Sequence, residues 1–285
     1  MPKVEYWTQR PTAEWAATLR SIKRFHNERM IHRTNLYIHA TRVQPLALFI
    51  GGQCSQMEYQ VDMSTVERRS LHHDDPEVET TDIPSPVKRA MTAEQKEQLR
   101  NREMDAATRL ASRFTTLPRE TYLLDQERGT LKESVEDQIV DIADKLDGLC
   151  ETLHELRCGN ETFWYVLENY RAIFLDLAQY PMYGNLNITV PSKEDVEEMP
   201  RVDIGMLSDG REDEFWKSVY DSSLPWFYSL WMDITTNGGL FRTLGKSILL
   251  FPGWESELIK AQSAKEARRI SDRDIALEEM MLGAI

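Results

Sequence analysis

The sequence of 285 residues is poor in cysteine, has no long apolar run and carries no excess of basic side chains. Its three cysteines show no CxxC spacing, which argues against a disulfide framework and against a thiolate zinc site. No stretch approaches the roughly 18 to 20 consecutive apolar residues of a transmembrane helix, and the N-terminal run lacks the apolar segment of a secretory signal. The sequence therefore predicts a cytoplasmic protein with no membrane partner.

Acidic side chains outnumber basic ones, and the formal net charge is -13. Proteins that bind nucleic acids normally present a basic face, so we expect no nucleic-acid partner. A small anionic ligand stays compatible with this charge, because a metal ion or a local cluster of arginine and lysine reverses the field inside a cleft.

Apolar residues recur at steps of three and four along most of the chain, which predicts an all-α fold. In residues 28–50 the apolar stripe contains His39, so this imidazole is predicted to point inward. Residues 75–86 contain three prolines and are predicted to form a loop. Further helices are predicted over residues 12–25, 92–115, 133–156 and 161–179.

A stretch rich in turn-forming and acidic residues follows the last of these helices and indicates a boundary. We predict a main helical domain over residues 1–180, a linker over 181–200 and a C-terminal region of unknown role over 201–285. The C-terminal region is expected to be mostly helical and is rich in tryptophan. It covers the main domain, lines a pocket or contacts a second copy of the chain, and the sequence leaves these alternatives open.

Four side chains from three separate segments have the chemistry of metal ligands. They are the inward His39, the adjacent pair His73 and Asp74, and Asp144, which borders the apolar stripe of its predicted helix. Two imidazoles and two carboxylates suit a first-row divalent ion and leave coordination positions open for water and a phosphoryl oxygen. A hydrogen-bonded core histidine is the alternative for His39 alone.

The residues around this set resemble a known family. The run from His73 reads HDDPEVETTDIPSPVK, which resembles the HD, xxE and TGD(I/L)PTPVK elements of bacterial 5'-deoxynucleotidases of the HD superfamily. The ADKL segment around Asp144 is similar to that family's AD(K/A)L segment. Arg33 and its neighbours, followed by His39, resemble the motif R(T/P)ENVxEHS, although Ile38 replaces its last glutamate. The similarity covers residues 19–175.

The resemblance implies a helical HD domain that holds one divalent ion through the same four ligands. It adds Glu77 as the residue that handles the attacking water or the leaving oxygen, and Asp82 as a second acid near the sugar or the phosphate. It also implies that Arg24 and Lys88 bind the phosphate and that Phe25 lies against the sugar. Solvated surface charge is the alternative for Arg24 and Lys88.

The predicted activity is metal-dependent hydrolysis of a small-molecule nucleotide, with 5'-nucleotidase action on (deoxy)nucleoside monophosphates as the first candidate. A deoxynucleoside triphosphate triphosphohydrolase would use the same ligands and is the alternative. A nucleotide-binding helical module without activity and a purely structural helical protein are further alternatives. The ion is left open among Mn, Co, Mg, Fe, Ni and Zn, and a homo-oligomer is left open too.

Overall fold

A computed structural model describes residues 13–112, 117–203, 211, 214 and 223–237, and this part of the chain is all-α, as predicted. Its α-helices are α1 (Ala13–Ser21), α2 (Leu36–Gln56), α3 (Met63–His72), α4 (Glu77–Thr80), α5 (Ser85–Ala90), α6 (Ala93–Ala111), α7 (Arg119–Leu131), α8 (Val135–Arg157), α9 (Trp164–Leu177), α10 (Lys193–Glu198) and α11 (Trp226–Asn237). Within these ranges the only β-type pairing is an isolated bridge between Lys23 and Asn35. None of the described helices is long and apolar enough to cross a membrane.

Helices α2 and α8 form the centre of the bundle, and α3, α9 and α11 pack around them. The apolar stripe predicted for α8 is fully buried, which gives this helix its place in the core; its members are Ile139, Ala143, Leu146, Cys150 and Leu153. A capping box at Ser134 satisfies free N–H groups at the start of α8. The functional side chains described below lie along the interface between α2 and α8.

The first two helices have different limits from those predicted. Helix α1 ends at Ser21 instead of about residue 25, and α2 begins at Leu36 instead of about residue 28. The Asn35 side chain accepts a hydrogen bond from Ile38 N at 3.0 Å and thereby caps α2. Pro45 lies inside α2, which continues to Gln56. Residues 22–35 therefore form a connecting segment that the periodicity of the sequence concealed.

Two further predictions of local structure were wrong or incomplete. The segment over residues 75–86 is not one loop, because it contains α4 and the start of α5. Both helices begin directly after a proline, whose fixed φ is compatible with a helix start. Helix α7 was not predicted at all.

The segment over residues 181–200, predicted to be a linker, contributes side chains to the hydrophobic core. Its buried members are Met182, Leu186, Ile188, Val196 and Met199. Phe227, Tyr228 and Trp231 of α11 are buried in the same core. Trp226 of α11 packs against this core, whereas Trp216, Trp254 and the helices predicted for the C-terminal end lie outside the described residues. The division of the chain at residues 180 and 200 stays a prediction.

Gly148 allows α8 and α9 to approach each other closely. A Cβ atom at this position would lie 1.8 Å from the Tyr170 hydroxyl oxygen. We predict that Gly148→Ala destabilises the protein by about 1–3 kcal/mol, because a well-packed core resists added volume. Urea unfolding measures this change.

Gly52→Ala is the matched control in α2, since a Cβ there meets nothing within 4 Å. This variant should gain about 0.5–1 kcal/mol, the usual difference between glycine and alanine inside a helix. Equal midpoints of unfolding for the two variants would contradict the packing role of Gly148.

Candidate metal centre

Three separate elements bring the predicted ligands together. His39 lies in the first turn of α2, His73 and Asp74 follow the end of α3, and Asp144 lies on α8. His39 Nε2 is 3.1 Å from His73 Nε2, 3.2 Å from an Asp74 oxygen and 3.2 Å from an Asp144 oxygen. His73, Asp74 and Asp144 therefore all approach His39, and ligand atoms of His39, His73 and Asp74 lie within 4.8 Å of one another.

The groups that lie next to the Nδ1 atoms of His39 and His73 set the tautomers of the two imidazoles. His73 Nδ1 lies 2.7 Å from the Ser70 carbonyl oxygen, which can only accept, so Nδ1 carries the hydrogen. His39 Nδ1 lies 2.7 Å from an Asp147 carboxylate oxygen and donates to it. In neutral rings both Nε2 atoms then keep their lone pairs, and these lone pairs face each other and two carboxylates. A group of lone pairs and negative charges of this kind fits a bound cation.

The electrostatics of His39 lead to the same conclusion. Burial and the nearby guanidinium of Arg24 act to lower the pKa of this imidazole. Hydrogen bonds with three carboxylates outweigh both effects and raise the pKa well above its ordinary value; these carboxylates belong to Asp144, Asp147 and Asp74. A site that favours positive charge so strongly has the field that a divalent ion requires.

Asp147 holds His39 in place and is itself held by one buried hydrogen bond and one buried ion pair. Trp231 Nε1 donates to Asp147 Oδ1 at 2.6 Å, and Arg42 Nε lies 3.0 Å from the same oxygen. Burial acts to raise the pKa of Asp147, but Arg42 and His39 hold this pKa at about 2. Trp231 of α11 therefore supports the metal centre through the Asp147 carboxylate. Helix α11 lies in the C-terminal region, whose role the sequence left open.

A cavity next to the four ligands gathers the substrate residues that the resemblance implied. We call it the Arg24 cavity; its lining includes Arg24, Phe25, Asp82, Lys88, Asp74 and Asp144. The alternative of a solvated helix face for Arg24 is wrong, because this residue is buried after the end of α1. Its Nε donates to a Glu151 oxygen at 3.0 Å, which fixes the guanidinium at the cavity wall.

Arg33 fixes the segment that presents Arg24 and Phe25. Its guanidinium donates to the Arg24 carbonyl at 3.1 Å and to the Phe25 carbonyl at 3.0 Å. Phe25 adopts a positive φ of 46°, which is uncommon for a bulky side chain and needs such support. The arginine that the sequence analysis used only as part of a motif therefore shapes the cavity wall.

Glu77 lies at the start of α4 and is buried beside the ligands. One of its carboxylate oxygens lies 3.1 Å from Lys88 Nζ, and the other is buried with no hydrogen-bond partner among the described residues. Burial and the neighbouring Asp74 raise the pKa of Glu77 well above its usual range, although Lys88 acts in the opposite direction. Such a carboxyl group holds a proton more readily than an exposed glutamate and can pass it on locally.

His72 turns away from the centre, as expected for the neighbour of a ligand on a helix. Its Nδ1 lies 2.8 Å from an Asp75 oxygen, and both side chains are buried. The Asp75 carboxylate thus provides a partner for an imidazole in the core.

The sequence analysis missed three carboxylates of α8 that organise the surroundings of the centre: Asp147, Glu151 and Glu155. Their side chains are almost completely buried. Glu151 accepts from Arg24, Arg42 and Thr34, and Glu155 accepts from two backbone N–H groups at 2.7 and 2.8 Å. With Asp144 they recur at steps of three and four, and this spacing was the signal that could have identified them.

Comparison with known proteins adds a family model described as 5'-deoxynucleotidase YfbR-like, which matches residues 13–183. No curated protein matches the chain. A conserved hypothetical protein from Pyrococcus furiosus is 21% identical with a TM-score of 0.48, covering 65% of this chain and 95% of that chain. A protein from Pyrococcus horikoshii is 17% identical with a TM-score of 0.48, covering 61% and 91%. An HD-domain phosphohydrolase from Listeria innocua is 22% identical with a TM-score of 0.45, covering 60% and 90%.

We predict that Trp231→Phe weakens divalent-metal binding, because Asp147 loses a buried donor and holds His39 less firmly. Replacing the direct partner of a metal ligand lowers affinity by about 10- to 100-fold, and we expect about two- to tenfold one bond farther away. Calorimetric titration with Mn²⁺ measures this loss.

Trp226→Phe, on the same helix, is the control, since this indole donates to the Asn187 carbonyl at 3.2 Å and not to Asp147. The proposed role of Trp231 is wrong if both variants bind Mn²⁺ as tightly as the unchanged protein.

Proposed function

The chain belongs to the 5'-deoxynucleotidase YfbR-like family, and from this premise we propose that it removes the 5'-phosphate of (deoxy)nucleoside monophosphates. The family membership supports a phosphohydrolase activity, and the grouped imidazoles and carboxylates within the helical bundle support metal dependence. The observation that carries the finer proposal is the convergence of His73, Asp74 and Asp144 on His39, beside a cavity that is lined by buried Arg24 and half-buried Lys88.

The proposed metal ligands are His39, His73, Asp74 and Asp144. When bound, a divalent ion supplies Lewis-acid polarisation of a phosphoryl oxygen and neutralises phosphate charge. The two histidines offer their Nε2 lone pairs, because each Nδ1 is engaged by an acceptor behind the ring. Mn, Co, Mg, Fe, Ni and Zn all suit a mixed set of imidazoles and carboxylates, so the proposal names no single metal.

Arg24 and Lys88 are the proposed phosphate-binding residues. A guanidinium offers two parallel N–H groups to a phosphate, and an ammonium offers a mobile point charge. Both line the same cavity as Asp74 and Asp144, so a phosphate bound to them would lie beside the ligands. Phe25 and Asp82 line this cavity too and are the proposed contacts of the sugar.

Glu77 is the proposed proton-transfer residue. Burial and the neighbouring Asp74 raise its pKa, which favours the protonated carboxyl group, and the Lys88 contact keeps this group oriented. Protonation of the leaving oxygen by this carboxyl group would allow the ester bond to break without releasing an alkoxide. Asp82 is the proposed second acid of the cavity, and a cytoplasmic location completes the proposal.

A substrate screen with product identification tests the proposed activity. The metal-loaded protein is incubated with ribo- and deoxyribonucleoside mono-, di- and triphosphates, and the released anion is identified. We expect inorganic phosphate from monophosphates. Release of triphosphate would favour the alternative triphosphohydrolase, and bound metal without turnover of any nucleotide would favour a binding module.

We predict that Glu77→Gln keeps its metal but loses turnover, because the amide cannot transfer a proton. General acid–base catalysis typically contributes about 10²- to 10⁴-fold, so kcat should fall by about this factor. Metal analysis and steady-state kinetics measure the two properties separately. Asp74→Ala should lose both the metal and the activity while keeping its helix content.

Glu79→Gln is the matched control on the same short helix, since Glu79 forms an exposed ion pair with Arg109. It should retain full activity. The assignment of Glu77 fails if Glu77→Gln turns over substrate as fast as this control.

A further inference from the structure

A second group of metal-ligating side chains lies apart from the candidate metal centre. His154 and Cys158 stand one turn apart at the C-terminal end of α8, and His32 approaches them from the segment before α2. Each offers one ligand atom, and these atoms all lie within 4.8 Å of one another. All three residues are half-buried, so an ion has a path to them from solvent. The proposed phosphohydrolase activity uses none of them.

The spacing of the atoms already approaches that of a bound ion. Cys158 Sγ lies 3.8 Å from His154 Nε2. Bonds of about 2.3 Å from zinc to sulfur and about 2.0–2.1 Å from zinc to nitrogen, at a tetrahedral angle, place these two atoms about 3.6 Å apart. The His32 and His154 rings have centroids 4.7 Å apart at an angle of 54°. Small side-chain rotations would therefore bring the three atoms into one coordination sphere.

One ring nitrogen of His32 is available to a metal ion. Its Nε2 atom is buried and has no hydrogen-bond partner among the described residues. A buried polar atom without a partner costs free energy, and a cation at this position would engage its lone pair.

The outer contact of His154 suits the same interpretation. Its Nδ1 lies 3.1 Å from the Tyr228 hydroxyl oxygen. When Nδ1 carries the hydrogen and donates it to this hydroxyl, Nε2 keeps its lone pair towards Cys158. Burial lowers the pKa of both His32 and His154, which favours the neutral ring that a metal ion binds.

We propose that His32, His154 and Cys158 bind a thiophilic transition-metal ion, with Zn²⁺ as the best-fitting ion. One thiolate and two imidazoles form a soft ligand set that zinc prefers over the hard ions magnesium and calcium. The Cys158 thiol loses its proton to solvent when the ion binds, and water fills the fourth position. The bound ion would join the segment that carries Arg24 and Phe25 to the end of α8.

The spacing of the cysteines in the sequence did not indicate this site. The absence of CxxC spacing argued against a thiolate zinc site, but a histidine and a cysteine four residues apart on a helix share one face. The third ligand comes from a distant part of the chain, which no local spacing reveals.

Cobalt spectroscopy on the full-length apoprotein tests the proposal. Co²⁺ bound to a thiolate gives a charge-transfer absorption band, and the candidate metal centre has no sulfur ligand that could produce one. We expect this band in the unchanged protein, with saturation at one thiolate-bound ion and loss on addition of Zn²⁺. The Asp74→Ala variant should show the same band, which separates this site from the candidate metal centre. A folded protein without the band would overturn the proposal.

Two ligand variants and a thiol control identify the residues. Cys158→Ser should abolish the band, His32→Gln should lower Co²⁺ affinity at least about tenfold, and Cys54→Ser should leave both unchanged, since Cys54 is a buried thiol outside the cluster. Circular dichroism verifies that each variant folds. A band that persists in Cys158→Ser, or an unchanged affinity in His32→Gln, would overturn the assignment.

Thiol alkylation gives a second measurement, in which His32, His154 and Cys158 all stay unchanged. Zn²⁺ should slow the alkylation of Cys158 in the unchanged protein and in Asp74→Ala at least tenfold, because a bound thiolate cannot attack the reagent. Equal alkylation rates with and without Zn²⁺ would count against the site.

Discussion

The buried carboxylates of α8 are the constraint on which the rest of this structure depends. Asp144, Asp147, Glu151 and Glu155 follow one another along a single face of the helix, and most of this face is removed from solvent. Buried charge is tolerated only when it is paired and hydrogen-bonded, and removal of one partner from such a pair costs about 3–5 kcal/mol. Each neighbouring element must therefore supply a donor or a positive group.

The elements around α8 meet this demand in different ways. Helix α2 provides His39 and Arg42, and the segment before it provides Arg24, Thr34 and two backbone N–H groups. Helix α11 provides the indole N–H of Trp231. At Asp144 one carboxylate oxygen pairs with Lys145 Nζ at 2.5 Å and the other lies 3.2 Å from His39 Nε2, so the end of the acidic face turns towards the candidate metal centre. A stabilising network and a binding site are thus continuous parts of one helix face.

The sequence predicted the all-α class and the buried stripe of α8, because both depend on helical periodicity. The motif around His73 also singled out four side chains that the structure brings together at His39. The limits of α1 and α2 were wrong, since an amphipathic pattern can continue through a segment that tertiary hydrogen bonds hold out of a helix, as Arg33 does here. Helix α7 and the buried side chains within residues 181–200 were missed, because their burial depends on what packs against them. The role of Trp231 was inaccessible for the same reason, as its partner lies 84 residues away in the chain.

The indole of Trp231 belongs to a part of the chain that the family model, ending at residue 183, does not include. It nevertheless completes the set of donors around the carboxylate behind His39. A chain shortened to residues 13–183 would lack this indole and leave Asp147 without its hydrogen bond from α11. The position of His39 thus depends on a residue that lies outside the segment matched by the family model.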